Sequence, residues 1–281
     1  MVLAFAYLYD NLRSLWAMGI KTSIIICSYK REKALKRCLK SLKEQTVKYN
    51  ELIICTEKGN LVELKDKGWR NAKGDILIWI DDDVVCSPYW LENIVSTFEN
   101  NSLVIGVTGP TIVPDEYKKN RDVFKEGWFK YFYNWFFLEG KMYLPGKISR
   151  WGVNTLGANY LTPHIRNIQI VDFLEPSQFA IRRWALESEG GFNLRYSGVA
   201  EWCDVDLCYR IKNYGLLVFN PLVTVYHYPI KDKTTDKRLD TRSRYENYCR
   251  FANTYVARSL RNKLYRLFLR IYFFAKERRW I

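Results

Sequence analysis

The chain has 281 residues, 48% of them hydrophobic and 16% aromatic, which is enough for one large or two modest domains with a real core and excludes a disordered polyelectrolyte. Its net charge is +14, and residues 241–281 hold eleven Lys and Arg against two Glu, so an anionic partner is expected, either a nucleic acid or a membrane surface. Two histidines exclude a zinc site built on several of them, and seven cysteines without a CxxC pair read as reduced packing residues of a cytoplasmic protein.

Residues 1–20 read as a short amphipathic lead-in, with Leu8, Leu12, Leu15 and Trp16 at helical spacing. Asp10 and Arg13 interrupt its apolar start, so it does not read as a signal peptide, and no later segment is apolar enough to span a membrane. Ser23–Cys27 is a buried strand, followed by a helix with Leu35, Cys38, Leu39 and Leu42 inward, and Leu52–Cys55 is a second strand. Ile76–Ile80 is a third, and it ends in Asp81-Asp82-Asp83. Ligands bind beyond the carboxyl ends of such strands, and alternation along an extended run would turn Asp81 and Asp83 one way and Asp82 the other. Paired hard oxygens suit Mg²⁺ or Mn²⁺, whereas a helix cap would need only one Asp.

A helix with Leu91, Ile94, Val95 and Phe98 and a strand over Leu103–Thr108 follow, and strand–helix alternation with short turns predicts a parallel α/β sheet. There is neither a P-loop nor a G-x-G-x-x-G, so phosphate charge would be met by a metal or by Lys and Arg. Residues 124–143 are so aromatic that a helix there is expected to be buried or at a lipid interface. Pro145-Gly146-Lys147 and Gly152 mark a loop-rich connection suited to a mobile lid. Phe179–Ile181 reads as a strand, Arg182–Glu189 as a helix closed by Gly190-Gly191, and Asp204 or Asp206 as the start of another helix, where an acid serves either as a cap or as a general base. Leu216–Phe219 and Leu222–Tyr226 read as strands, and His227 leaves the second as Asp83 leaves its own.

Taken in order, Ser23–Arg31, Ala72-Lys73-Gly74-Asp75 leading into Asp81-Asp82-Asp83, Arg182-Arg183 with Gly190-Gly191-Phe192, and Asp204-Val205-Asp206-Leu207-Cys208-Tyr209-Arg210 resemble the motifs of family 2 glycosyltransferases over about residues 21–230. The resemblance implies the GT-A fold, a Rossmann-like mixed, mainly parallel sheet flanked by helices. Residues 21–115 would be its nucleotide half and 116–230 its acceptor half, with 231–281 a basic amphipathic helical tail. It implies an inverting, metal-dependent transfer from a nucleotide-sugar, a UDP-sugar in the favoured case, to a hydroxyl of a glycan or lipid-linked acceptor. Asp81, Asp83 and His227 would hold Mn²⁺ or Mg²⁺, and Cys27, Ser28, Tyr29, Arg31, Glu57, Arg70, Asp81 and Asp82 would line the nucleotide. Asp204 would be the base, with Glu201 as its nearby substitute, and Arg182, Arg183, Trp202 and Arg210 would face the acceptor or phosphate. Cys203 departs from the family's acid, and Thr56-Glu57 from its usual Asp.

Two rivals are a sugar-1-phosphate nucleotidyltransferase, whose glycine-rich phosphate loop is missing after the first strand, and a nucleic-acid-binding protein that uses the basic tail. In the tail, Leu260, Leu264, Leu267, Ile271 and Phe274 share one helical face, flanked by Arg261, Lys263, Arg266 and Arg270. Such a helix suits the anionic inner face of a cell membrane. Leu269 and Phe273 on its back suit packing on its own domain or in a homodimer.

Overall fold

A computed structural model describes residues 19–118, 127–155, 165–229, 240–256 and 259–278. The amphipathic spacing at Leu8, Leu12, Leu15 and Trp16, and residues 231–239 of the expected tail, lie outside the described residues.

Strand β1 (Thr22–Cys27), helix α1 (Glu32–Lys43), strand β2 (Glu51–Cys55), helix α2 (Leu61–Asn71) and strand β3 (Ile76–Asp81) alternate as expected. β1 lies between β2 and β3, parallel to both, and its last residue Cys27 stands level with Cys55 and Asp81. Three strands therefore finish together at one edge. Then come β4 (Val84–Cys86), α3 (Trp90–Asn100), β5 (Val104–Thr108), β6 (Thr111–Ile112), α4 (Asp115–Lys118), α5 (Trp128–Phe136), β7 (Gln169–Ile170), β8 (Gln178–Arg182), α6 (Arg183–Ser188), α7 (Cys203–Ile211), β9 (Leu216–Phe219), β10 (Val225–His227), α8 (Thr241–Tyr255) and α9 (Leu260–Arg278). The main sheet has the order β2-β1-β3-β8-β5-β9-β7, and a small one has the order β4-β10-β6. β8 enters antiparallel between β3 and β5, which makes the sheet mixed.

Side-chain alternation divides the core into two layers. Ile25, Leu77, Trp79, Phe179, Ile181 and Phe219 face α2, α6 and α7, while Ile24, Ile26, Ile76, Ile78, Ile80 and Val218 face α1 and α3. Both layers are apolar, so the strands read as continuous hydrophobic runs, and burying each large side chain contributes roughly 1.5–3 kcal/mol.

Helix α2 has no counterpart in the sequence pattern. Its inward face is Val62, Lys65, Asp66, Gly68 and Trp69, so two charges stand where apolar residues would have shown the period. Gly68 lets it approach β1, because a Cβ there would meet Ile25 Cγ2 at 2.5 Å. His227 closes β10 rather than following a strand over 222–226, and residues 221–223 form a turn.

One further expectation changes, and one of two alternatives for the aromatic stretch falls. The loop at 144–155 is pinned, not a free lid: the Gly146 carbonyl accepts from the Asp172 and Phe173 amides, and Trp151 and Val153 are buried. Helix α5 buries none of its side chains, and Trp128 is 80% exposed. Its continuation, Phe137 and Leu138, enters a third core cluster with Trp151, Tyr248 and Tyr265, and Tyr133 and Phe136 of α5 pack against that cluster. Helix α8 packs on the main domain through Phe251, which joins the layer around α7.

Candidate active site

β3 runs out at Asp81, and Asp82 and Asp83 form the turn into β4. Val84 pairs with His227 in the small sheet, and the Asp83 carbonyl accepts from the Tyr228 amide at 2.9 Å, so β10 brings the imidazole to the acids. His227 Nε2 lies 3.0 Å from Asp83 Oδ1. One ligand atom each of Asp81, Asp83 and His227 lie within 4.8 Å of one another. Asp82 turns away: Ser28 Oγ donates to its Oδ2 at 2.6 Å, and Arg31 Nη1 donates to its Oδ1 at 2.5 Å. Arg31 also donates to Asp83 Oδ2 at 2.6 Å, and its Nε is buried without a hydrogen-bond partner. The expected division of Asp81 and Asp83 from Asp82 is present, and a turn rather than an extended strand produces it.

Burial pushes the Asp81 carboxyl up to about 6, and the negative Asp83 adds to the rise while Lys65 and His227 oppose it. Burial works the same way on Asp83, but the His227 hydrogen bond and charge, with Arg31, outweigh it and hold that carboxyl well below the usual range. Neighbouring acids driven apart in this way are a mark of a candidate functional site.

A second acid arrives from helix α7. Asp204 is 5% exposed and accepts from Lys65 Nζ at 2.8 Å. It does not cap its helix. Trp202 holds that position in a left-handed conformation, with φ +75°, and no side chain caps the start. Burial opposes the Lys65 charge, yet Asp204, Cys203 and Asp81 together keep the ammonium more basic than usual. Glu175, 3% exposed, is pushed up to about 8, chiefly by burial and also by the negative Asp81 and Asp204. The two acid groups thus act on the same neighbours. Lys65 and Glu175 escaped the sequence reading: the first lies on the unrecognised α2, and the second in a loop whose burial nothing local reveals.

Several expected residues stand elsewhere. Glu201 is held by Arg244 at 2.9 Å, which leaves Asp204 as the buried acid. Arg70 bonds Asp66 and the Gly190 carbonyl on the outer side of α2. Arg182 and Arg183 lie at the wrong end of the sheet, because β8 is antiparallel and Arg182 stands opposite Ile76, about 16 Å along β3 from Asp81. Arg210 ties Asp206 to the Glu189 and Gly191 carbonyls. Trp202 packs on Phe251 and Tyr248. Glu57 pairs with Lys67 at the exposed end of β2. Cys27 ends β1 beside Asp81, and Tyr29 lies under the Lys30 ammonium. The seven cysteines are free.

Two carboxylates and an imidazole fit Mn²⁺ or Mg²⁺, and the unspent Arg31 donor beside them fits an anion accompanying the metal. Residues 53–156 match the family model described as Glycosyl transferase family 2. Over those residues, a little over a third of the chain, the sequence is similar to that family. It is 28% identical to the glucosyl-dolichyl phosphate glucuronosyltransferase of Haloferax volcanii, over 38% of this chain and 43% of that protein. Its fold resembles GalNAc-T7 crystallised with UDP, GalNAc and Mn²⁺ (TM-score 0.56, 14% identity, 84% of this chain and 48% of that one). It also resembles the mannosyltransferase PcManGT of Pyrobaculum calidifontis in complex with GDP-Man and Mn²⁺ (TM-score 0.53, 14% identity, 84% of this chain and 65% of that one). The architecture is the GT-A fold. The chain spans less than half the length of the Haloferax relative.

Proposed function

We propose that the protein transfers a sugar from a nucleotide-sugar, a UDP-sugar in the first instance, to a hydroxyl of a glycan or lipid-linked acceptor, with inversion at the anomeric carbon. The observation that carries this is the convergence of Asp81, Asp83 and His227 at the carboxyl end of β3, with Lys65 and Asp204 beside them. Residues 21–115 would hold the nucleotide and 116–230 the acceptor, in a cytoplasmic enzyme. The names of the Haloferax protein and of the two structural neighbours support a sugar donor, and the first supports a lipid-linked acceptor.

Bound at Asp81, Asp83 and His227, Mn²⁺ or Mg²⁺ would stabilise negative charge on the leaving diphosphate. Arg31 adds a fixed positive charge from the same side. Asp204 takes the acceptor hydroxyl proton as that oxygen bonds to the anomeric carbon, and the nucleoside diphosphate departs with the electrons of the broken C–O bond. Lys65 holds the Asp204 carboxylate in place.

The test is a thermal-shift screen of UDP-, GDP- and dTDP-sugars with and without Mn²⁺, on the parent chain and Asp83→Ala. A nucleotide-sugar that binds the native state raises its melting point. Metal-dependent stabilisation by one nucleotide family, absent in Asp83→Ala, is the expected result. Equal shifts in both proteins would remove Asp83 from the site. RNA binding with a steep salt dependence and no nucleotide-sugar shift would favour the nucleic-acid rival.

A further inference from the structure

Helix α9 has two apolar faces, and among the described residues its own domain covers only one. Asn262 and Tyr265 are 2% and 4% exposed. Asn262 Nδ2 donates to the Tyr248 hydroxyl at 2.8 Å, and the Tyr265 and Tyr133 hydroxyls lie 2.8 Å apart. Leu269 packs beside them. At 3.6 residues per turn, Leu260, Leu264, Leu267, Ile271 and Phe274 fall in an arc of about 80° centred opposite that packed side. Their exposures run from 46% at Leu264 to 72% at Leu260. Among the described residues, the side chains that anchor the helix lie on the side away from the stripe.

The surroundings say what does cover it. Arg261 borders one side of the stripe, and Lys263 and Arg270 border the other, all three exposed. No Asp or Glu occurs between Leu260 and Phe274. A second copy docked through the same stripe would set basic margins against basic margins with no acid to neutralise them, so charge complementarity excludes self-association as the first choice. Helix α5 lies alongside, its Phe129 stacked on Phe268 of α9 at 6.3 Å. It presents Trp128, Tyr131 and Trp135, exposed by 80%, 65% and 69%. Side chains of that kind, apolar with one polar tip, settle at the lipid headgroup level. At the head of α9, a groove of about 720 Å³ between Leu260, Leu264, Ile148, Tyr209 and Val256 continues the apolar surface, with Arg261 on its wall. Among the described residues no helix is long and apolar enough to cross a membrane, so the contact would be along a surface.

We propose that α9 and α5 together form a docking face for an anionic lipid bilayer. The Leu260–Phe274 stripe enters the boundary between headgroups and acyl chains, and Arg261, Lys263 and Arg270 reach lipid phosphates. This stands independently of the sugar-transfer function, because it rests on residues outside the acid cluster.

The test is flotation of the full chain with phosphatidylcholine vesicles, with and without phosphatidylglycerol. Binding to the anionic vesicles should be at least ~10-fold tighter than to the neutral ones and should weaken as salt rises. Leu264→Glu with Ile271→Glu should lower it by ~10-fold or more with the melting point kept, since both side chains are already exposed. Arg270→Glu should weaken it, whereas Lys40→Glu, an equal charge change on exposed α1, should not. Absence of flotation by the parent, or loss equal in Arg270→Glu and Lys40→Glu, would overturn the proposal. A dimer that Leu264→Glu dissociates, in a chain that ignores vesicles, would assign the stripe to a second copy.

Discussion

The two ends of the central sheet use the same residue types for opposite purposes. At the carboxyl end of β3, Arg31 sends two donors to the side chains of Asp82 and Asp83 and keeps a third unpaired. At the other end, Arg182 donates to the backbone carbonyls of Val104 and Phe98, both at 2.8 Å, and Arg183 donates to the Gly74 carbonyl at 2.7 Å. Arg183 Nη2 is likewise buried without a hydrogen-bond partner, so the two ends differ in what the arginines hold: Arg31 is bound to the carboxylates of the candidate site. The others are staples: both bind main-chain oxygens, and Arg183 also faces Glu187 at 3.6 Å. Motif order alone does not separate these cases, but strand direction does. β8 runs against β3, so residues after Ile181 lie beside the start of β3.

The largest effect is expected at the acid end. Asp204→Asn should keep metal-dependent nucleotide binding and lose turnover by about 10²-fold or more if the proposed general base is the one removed. Lys65→Met should also lower kcat, with KM for the donor held. It leaves Asp204 buried without its partner, at a cost of about 3–5 kcal/mol. The double variant should recover much of that stability, because neither charge is then unpaired, while turnover stays low. A double variant no more stable than Lys65→Met would mean that the pair is not coupled, and an active Asp204→Asn would move the base elsewhere.

At the stapled end the signature should reverse. Arg182→Met removes the guanidinium hydrogen bonds to the Phe98 and Val104 carbonyls and a guanidinium 5.0 Å over the Phe98 ring. A stability loss of about 2–4 kcal/mol in urea unfolding is expected, with KM for the donor unchanged. A raised donor KM in a fully folded Arg182→Met protein would break the contrast between the two ends.

The same contrast explains what was legible in the sequence. Continuous apolar runs gave β1, β2, β3 and β9, and the acids after Ile80 gave the site's location, because a buried strand that ends in charge is locally visible. His227 was legible for the same reason. Helix α2 was not, because its buried face carries Lys65 and Asp66, which are accommodated there by Asp204 and the Phe192 amide, more than a hundred residues away, as well as by local partners of Asp66. Arg70, Arg182, Arg183 and Arg210 were misplaced because an arginine's partner is fixed by the assembled fold and not by its neighbours in sequence. The stripe on α9 was legible as a period, but only the packed opposite side shows that it is the outer face.

The smallest expected effect concerns Glu175, which belongs to neither end's ion pairs. Its only side-chain partner among the described residues is Ser177 Oγ, at 3.5 Å. Burial, with the charges of Asp81 and Asp204 behind it, raises the carboxyl from an ordinary 4.5 to about 8. A raised acid binds its proton more tightly folded than unfolded. Its contribution is therefore fully present below about 4.5 and declines as pH rises toward 8, beyond which it is spent. Glu175→Gln keeps the shape and stays neutral throughout. The variant's melting point minus the parent's should consequently be flat below pH 4.5, climb between pH 4.5 and 8, and level off above. Turnover of the variant near pH 7 should stay close to that of the parent, whose carboxyl is mostly neutral there, and should diverge from it only above pH 8. A difference that does not change with pH would show that Glu175 ionises at its ordinary value, and the two acid groups would then lack the low-dielectric wall that joins them into one site.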